Sequence, residues 1–207
     1  MYVTLRRYPE IGARMYEMIA RKVEEGLVPM LKRQPGFRCY YAIVSEDGDG
    51  LSVTVFDERG QAARANEQVR GWGQANLRDL LPDRPEVFAG ECGVAEAARG
   101  RGAGQGQPPI VVVREFADLG PVEETRDVVR RHALPVITGS PGFRAVYMFR
   151  DEQKQSRGAT VALFDTRADA LRSHEGFLQV LREKAADVAP TAPRAATGRA
   201  IVFATGD

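Results

Sequence analysis

The chain has 207 residues, 43% hydrophobic and 28% charged, with a formal net charge of +1. That composition suits one large core or two small ones. It excludes the charge footprint of a nucleic-acid binder or of a protein held on an anionic membrane. No segment approaches the roughly 18 apolar residues of a membrane span.

In chain order, Tyr2 to Tyr8 alternates apolar and polar residues and reads as a half-buried strand ended by Pro9. A helix follows, with Ile11, Met15, Met18, Ile19, Val23 and Leu27 at helical spacing, and it is expected to stop or kink at Gly26 and Pro29. Phe37 to Val44 is a second strand. The acidic run Glu46-Asp47-Gly48-Asp49-Gly50 is a hairpin signal, and Leu51 to Phe56 is a third strand. Asp57 is expected to cap a helix running to about Leu77. Glu86 to Val94 is a fourth strand. Residues 97–109, rich in Gly, Ala, Arg and Pro, read as a flexible linker.

The pattern then restarts. Ile110 to Phe116 is a strand, Val122 to about Ile137 a helix with Pro135 as terminator, and Phe143 to Phe149 and Ala159 to Phe164 are strands. Asp165 is expected to cap a helix reaching about Val188, and Ala200 to Thr205 is the last strand. Pro35-Gly36-Phe37-Arg38 and Phe56-Asp57 recur as Pro141-Gly142-Phe143-Arg144 and Phe164-Asp165, which marks an internal duplication. The fold class implied is α+β. It comprises two tandem ferredoxin-like βαββαβ units at residues 1–96 and 110–207. Both faces of the strands are apolar, so each unit alone would expose a greasy sheet. Two units covering one another would bury it, as an intramolecular α/β barrel, and such pseudo-dimers could associate further.

The amino-terminal stretch has no apolar signal core, so a cytoplasmic, soluble protein is expected. Cys39 and Cys92 lie far apart without metal-ligand spacing and read as small buried hydrophobes in a reducing compartment. No phosphate-binding loop, dinucleotide fingerprint, nucleophile elbow or metal cluster is present in the sequence.

The two Pro-Gly-Phe turns, the two Phe-Asp strand ends and the helix run Ala170 to Glu175 resemble the antibiotic-biosynthesis-monooxygenase-like branch of the dimeric α/β-barrel superfamily. The resemblance covers nearly the whole chain outside the linker. It implies a barrel whose halves, usually two chains, are here one. It also implies a ligand cavity between helices and sheet. The branch includes cofactor-independent oxygenases of polycyclic phenols, haem-degrading enzymes, isomerases and members without known activity. The haem-degrading pattern fits poorly, because the first strand offers Thr4 and Arg6 rather than Asn and because Trp72 and His174 fall in different copies.

Several residues are candidates for a site. His174 stands on an apolar stripe with Leu171, Leu178 and Leu181, and would be a proton acceptor or a satisfied core histidine. Asn66 is its counterpart in the first copy and needs a partner, since an unsatisfied buried amide costs about 1–3 kcal/mol. Trp72 and Asn76 share a helix face, and Trp72 either stacks on an aromatic ligand or packs at a helix–sheet contact. Tyr41 and Tyr147 are equivalent strand residues, each expected on the face of the preceding Phe37 or Phe143. Arg6 and Arg114 match on the first strand of each copy. They could orient a carboxylate or enolate, or pair with an acid. The expected function is a monooxygenase-like protein without flavin or metal, acting on a small aromatic or polyketide-like molecule. The alternative is a non-catalytic small-molecule-binding or assembly module.

Overall fold

A computed structural model describes residues 1–11, 15–81, 84–98 and 107–206. The linker expectation for residues 99–106 therefore lies outside the described residues. Eight antiparallel strands close into a barrel in the order β1-β3-β2-β8-β5-β7-β6-β4. The strands are β1 (Tyr2–Tyr8), β2 (Phe37–Val44), β3 (Gly50–Phe56), β4 (Glu86–Ala97), β5 (Ile110–Phe116), β6 (Phe143–Arg150), β7 (Gly158–Phe164) and β8 (Arg194–Thr205). The helices are α1 (Tyr16–Lys22), α2 (Val28–Lys32), α3 (Arg59–Asn76), α4 (Val122–Val128), α5 (Leu134–Thr138) and α6 (Arg167–Lys184). No helix among the described residues is long and apolar enough to cross a membrane.

The barrel closes through two seams, β2 with β8 and β4 with β6. This explains why β4 and β8 run twelve residues each, well beyond the lengths their sequence pattern suggests. Each bonds one neighbour with its first part and another with its second, and Ala97 of β4 pairs with Ala145 rather than entering a linker. Side chains alternate between the barrel interior and the helix-covered outside. Val3, Leu5, Val111, Val113, Val161 and Leu163 fill the interior. Phe56 packs outward beneath α1 to α3, and Phe164 beneath α4 to α6. Strands apolar on both faces are thus buried on both faces, as their sequence requires.

Two Pro-Gly turns launch β2 and β6 with Gly36 at φ 72° and Gly142 at φ 65°. A side chain at Gly142 would also place its Cβ 2.6 Å from Asp169 Oδ2. Both requirements explain why glycine recurs there.

Three local expectations are corrected. Pro29 and Pro135 do not end their helices. A π-helical turn, Val23–Leu27 or Val129–Ala133, interrupts each one, and each Pro sits in the first turn of the short helix that follows. At such a position the missing N–H is tolerated. Asp57 and Asp165 are not caps: the N-caps are Glu58 and Thr166, and Thr166 Oγ1 accepts from the Asp169 backbone N–H at 3.2 Å. Asp57 instead accepts from Arg38 Nε at 2.5 Å and Asp165 from Arg144 Nε at 2.6 Å, tying each Phe-Asp end to the Pro-Gly-Phe-Arg strand beside it.

Candidate functional site

Two buried arginines organise the space between helices and sheet. Arg6 is the fifth residue of β1 and Arg114 the fifth of β5, and both face outward beneath the helices. Asn66 and His174 are each the eighth residue of the helix above, α3 and α6. Arg6 Nη2 donates to Asn66 Oδ1 at 2.7 Å, and Asn66 Nδ2 donates to Thr4 Oγ1 at 3.0 Å. Arg114 Nε donates to His174 Nδ1 at 3.0 Å. Four residues singled out separately in the sequence are therefore two equivalent pairs, each joined across 60 residues.

The pair in the second half fixes the state of His174. Burial, and then the adjacent Arg114 charge, lowers its pKa to about 4, so the ring is neutral near pH 7. With Nδ1 accepting from Arg114, the remaining nitrogen carries the proton and can only donate. The role of proton acceptor does not fit this arrangement. Nor is the apolar stripe where the spacing put it: Leu171 is exposed, and the buried face of α6 is Ala170, Ser173 and Phe177.

Arg114 is fully buried, and its guanidinium lies 4.5 Å from the Phe177 ring centroid. Its Nη1 donates to Thr160 Oγ1 at 3.5 Å, and its Nη2 has no hydrogen-bond partner. No carboxylate pairs with it among the described residues, and burial alone lowers its pKa to about 9. An uncompensated buried cation is costly to keep.

Equivalent pockets lie between helices and sheet in the two halves, and their sizes differ. The first measures about 60 Å³ and the second about 510 Å³. Side-chain volume differs at several matching positions. Trp72, the fourteenth residue of α3, corresponds to Val180 of α6. Leu27 ends one π turn and Ala133 the other; Leu77 and Ala185 are the two helix C-caps; Leu51 and Ala159 are second in β3 and β7. All eight residues line their respective pockets. The larger side chain falls in the first half at these four positions, of which Leu51 and Ala159 turn into the barrel interior, and in the second half at Val69/Phe177 and Gly73/Leu181; Trp72 is the bulkiest side chain at the first pocket. The second pocket is walled mainly by apolar groups, among them Phe116, Phe149, Phe177 and Leu181. Its polar contacts include Thr160, backed by Arg114, and Thr125 of α4, whose Oγ1 is buried without a partner. Arg59 and Glu152, paired at 2.9 Å, lie among its more exposed lining residues.

The other candidates sit elsewhere. Trp72 lines the small first pocket. Asn76 is exposed, and its Nδ2 donates to the Trp72 carbonyl at 2.8 Å, finishing the helix rather than facing a ligand. Tyr41 and Tyr147 point into the barrel interior, not to the face of Phe37 and Phe143, because β-bulges between Phe37 and Cys39 and between Phe143 and Ala145 reset the alternation. Tyr147 Oη and Cys39 Sγ are 3.7 Å apart, and burial pushes the Cys39 thiol up to about 11, so it is no nucleophile at neutral pH. Neither His174 nor Arg114 lines the open pocket; Phe177 and Thr160, which both contact Arg114, do. Thr160 and Thr125 escaped the sequence reading because hydroxyls on strands and helices carry no spacing signal. The outward register of Thr160, opposite Arg114 in the β5–β7 ladder, could have found it.

No family model matches the chain, and no curated relative does. Solved structures share its fold. One is a candidate monooxygenase from Fusobacterium nucleatum, at TM-score 0.77 and 10% identity, covering 99% of this chain and 94% of that one. Another is a candidate monooxygenase from Lactobacillus acidophilus, at TM-score 0.74 and 8% identity, covering 99% and 96%. A third is an anthrone oxidase-like protein, at TM-score 0.65 and 11% identity, covering 99% and 92%. The chain therefore has the α+β, eight-stranded antiparallel barrel fold of these proteins; at such identity the likeness is one of fold.

Proposed function

We propose that this chain is a tandem of two ferredoxin-like units of the antibiotic-biosynthesis-monooxygenase-like type, with one working small-molecule pocket, in the second half. In this reading it oxidises a small aromatic or polyketide-like molecule with O2, without flavin or metal. The observation that carries the reading is the 510 Å³ apolar pocket, which Thr160 and Thr125 both line. That volume lies within the roughly 300–1,000 Å³ range of ligand sites. The strand orders β4-β1-β3-β2 and β8-β5-β7-β6 support the tandem reading, each being one βαββαβ unit.

The chemistry of the walls narrows the ligand to an aromatic carrying an acidic oxygen. Thr160 Oγ1 already accepts from Arg114, so its own hydrogen is free to donate to a ligand oxygen. An oxygen held there lies one side chain from an uncompensated guanidinium, which favours its anionic form. An electron-rich phenolate or enolate is the form that reacts with O2. In the balanced reaction a ring methylene and O2 give a carbonyl and water, with no external reductant. The residue roles are then Thr160 as hydrogen-bond donor, Thr125 as a second polar contact, and Arg114 with His174 as the positioning pair behind them.

A second reading, a non-catalytic binding module, is favoured by the engaged Nδ1 of His174, which leaves the pocket without the expected base. Oxygen uptake with a panel of naphthols and anthrones, run beside calorimetric binding of the same compounds, separates the two. The enzyme reading expects uptake that falls at least tenfold in Thr160→Val. Binding without uptake leaves the module, and neither binding nor uptake removes both.

A further inference from the structure

Three positions at one mouth of the barrel carry opposite charges in the two halves. Arg7 is the sixth residue of β1, and the sixth residue of β5 is Glu115. Asp49 immediately precedes β3, and Arg157 immediately precedes β7. Glu86 opens β4, and Arg194 opens β8. Every one of these residues meets its opposite charge from the other half. Arg7 Nε donates to both Glu115 oxygens, at 3.0 and 3.1 Å. Arg194 Nη2 donates to Asp49 Oδ2 at 2.5 Å, and Arg157 Nη2 to Glu86 Oε1 at 2.9 Å. Arg7 Nη1 also donates to Asp49 Oδ2 at 2.7 Å, joining the central pair to one of the flanking ones.

The contacts follow the pseudo-two-fold relation of the barrel. Positions 7 and 115 are equivalent and face one another across its axis. The contact between positions 49 and 194 is repeated on the other side as the contact between 157 and 86. If either half were paired with a copy of itself in this geometry, these contacts would all change sign. Two first halves would set Arg7 against Arg7 and Asp49 against Glu86, twice. Two second halves would set Glu115 against Glu115 and Arg157 against Arg194, twice. Arg7, Asp49 and Glu115 are almost wholly buried, where like charges are least screened by water and salt.

We propose that this charge-exchanged mouth is a recognition surface by which each half accepts the other and rejects a copy of itself. A barrel built from two identical chains cannot do this, because a residue on its axis meets its own kind. Duplication frees the two positions to differ, and opposite charge at all three sites makes the two halves obligate partners. That arrangement lets the halves diverge, one pocket filling with Trp72 while the other stays open. The proposal rests on the correspondence of the two halves and not on any activity of the pocket.

The test uses three variants of the full chain, compared with wild type by thermal unfolding and size-exclusion chromatography. The first block, Arg7→Glu, Asp49→Arg and Glu86→Arg together, makes every cross-half contact like-charged. The second block, Glu115→Arg, Arg157→Asp and Arg194→Glu, does the same from the other side. The six-fold variant exchanges all the charges and restores opposite signs throughout. Each block alone is expected to lower the melting temperature by on the order of 10 °C or to leave the chain unfolded. The six-fold variant is expected to fold and to recover at least half of either loss. Two results overturn the proposal: blocks as stable as wild type, or a six-fold variant whose loss is the sum of the two blocks.

Discussion

Trp72 lies so close over Gly26 that a Cβ added to the glycine would stand 2.9 Å from the indole Nε1 and Cζ2. The equivalent positions in the second half hold His132, which is exposed, and the smaller, half-buried Val180. The glycine in the first π turn and the tryptophan of α3 are thus one packing solution, and together they close the first pocket. Replacing Gly26 with Ala should cost about 1–3 kcal/mol, as overpacking does. Combining it with Trp72→Val should recover part of that loss, because the methyl then has room. Urea unfolding of the two single variants and the double variant checks this through a double-mutant cycle. Simple additivity would show that the contact is not the cause.

Arg7 and Glu115 make the most buried of the ion pairs across the two halves. Removing Arg7 leaves Glu115 buried and unpaired, at a cost of about 3–5 kcal/mol, whereas removing Glu115 leaves Arg7 its bond to Asp49. Glu115→Gln should be milder than Glu115→Ala, since the amide oxygen can still accept from Arg7. Removing both as Arg7→Met with Glu115→Leu should cost less than Arg7→Ala, which leaves the Glu115 carboxylate buried alone. Chemical denaturation of the set orders the four variants.

His174 makes a prediction in pH. Its folded-state pKa, about 4, lies below its ordinary value of 6.5. Between those values the unfolded chain binds the proton and the folded chain does not, so acidification favours unfolding. Stability should be unaffected by this group above about pH 6.5 and should fall as pH drops toward 4. His174→Asn imports the Asn66 solution from the first half, where the amide oxygen accepts from Arg6 at 2.7 Å. Melting temperatures followed from pH 7.5 to 5 should fall less steeply for this variant than for wild type. Parallel curves would show that His174 does not sense the pH.

The strands were legible in the sequence because each lies between turn signals that recur, Pro-Gly-Phe before β2 and β6 and Phe-Asp after β3 and β7. The interrupted helices were not, since a proline after a π turn looks like a terminator until the helix is seen to restart. The face of each tyrosine was not legible, because one bulged residue reverses every later side chain of a strand. At the site, Arg6, Arg114, Asn66 and His174 were each visible as repeated polar positions in apolar surroundings. Their pairing was not, because it joins elements 60 residues apart. Least legible was the open pocket, lined by small residues such as Ala133, Val180 and Ala185 that sit on a π turn, on α6 and at its C-cap. Small apolar residues carry no signal one at a time.

In the proposed function, the open pocket of the second half holds the ligand. Isothermal titration calorimetry with 1-naphthol, on wild type, Val180→Trp and Trp72→Phe, tests it most directly. One binding site per chain is predicted in wild type and in Trp72→Phe, with binding lost in Val180→Trp, where the indole occupies the space that Trp72 fills in the first half. Binding of undiminished affinity in Val180→Trp would contradict the claim.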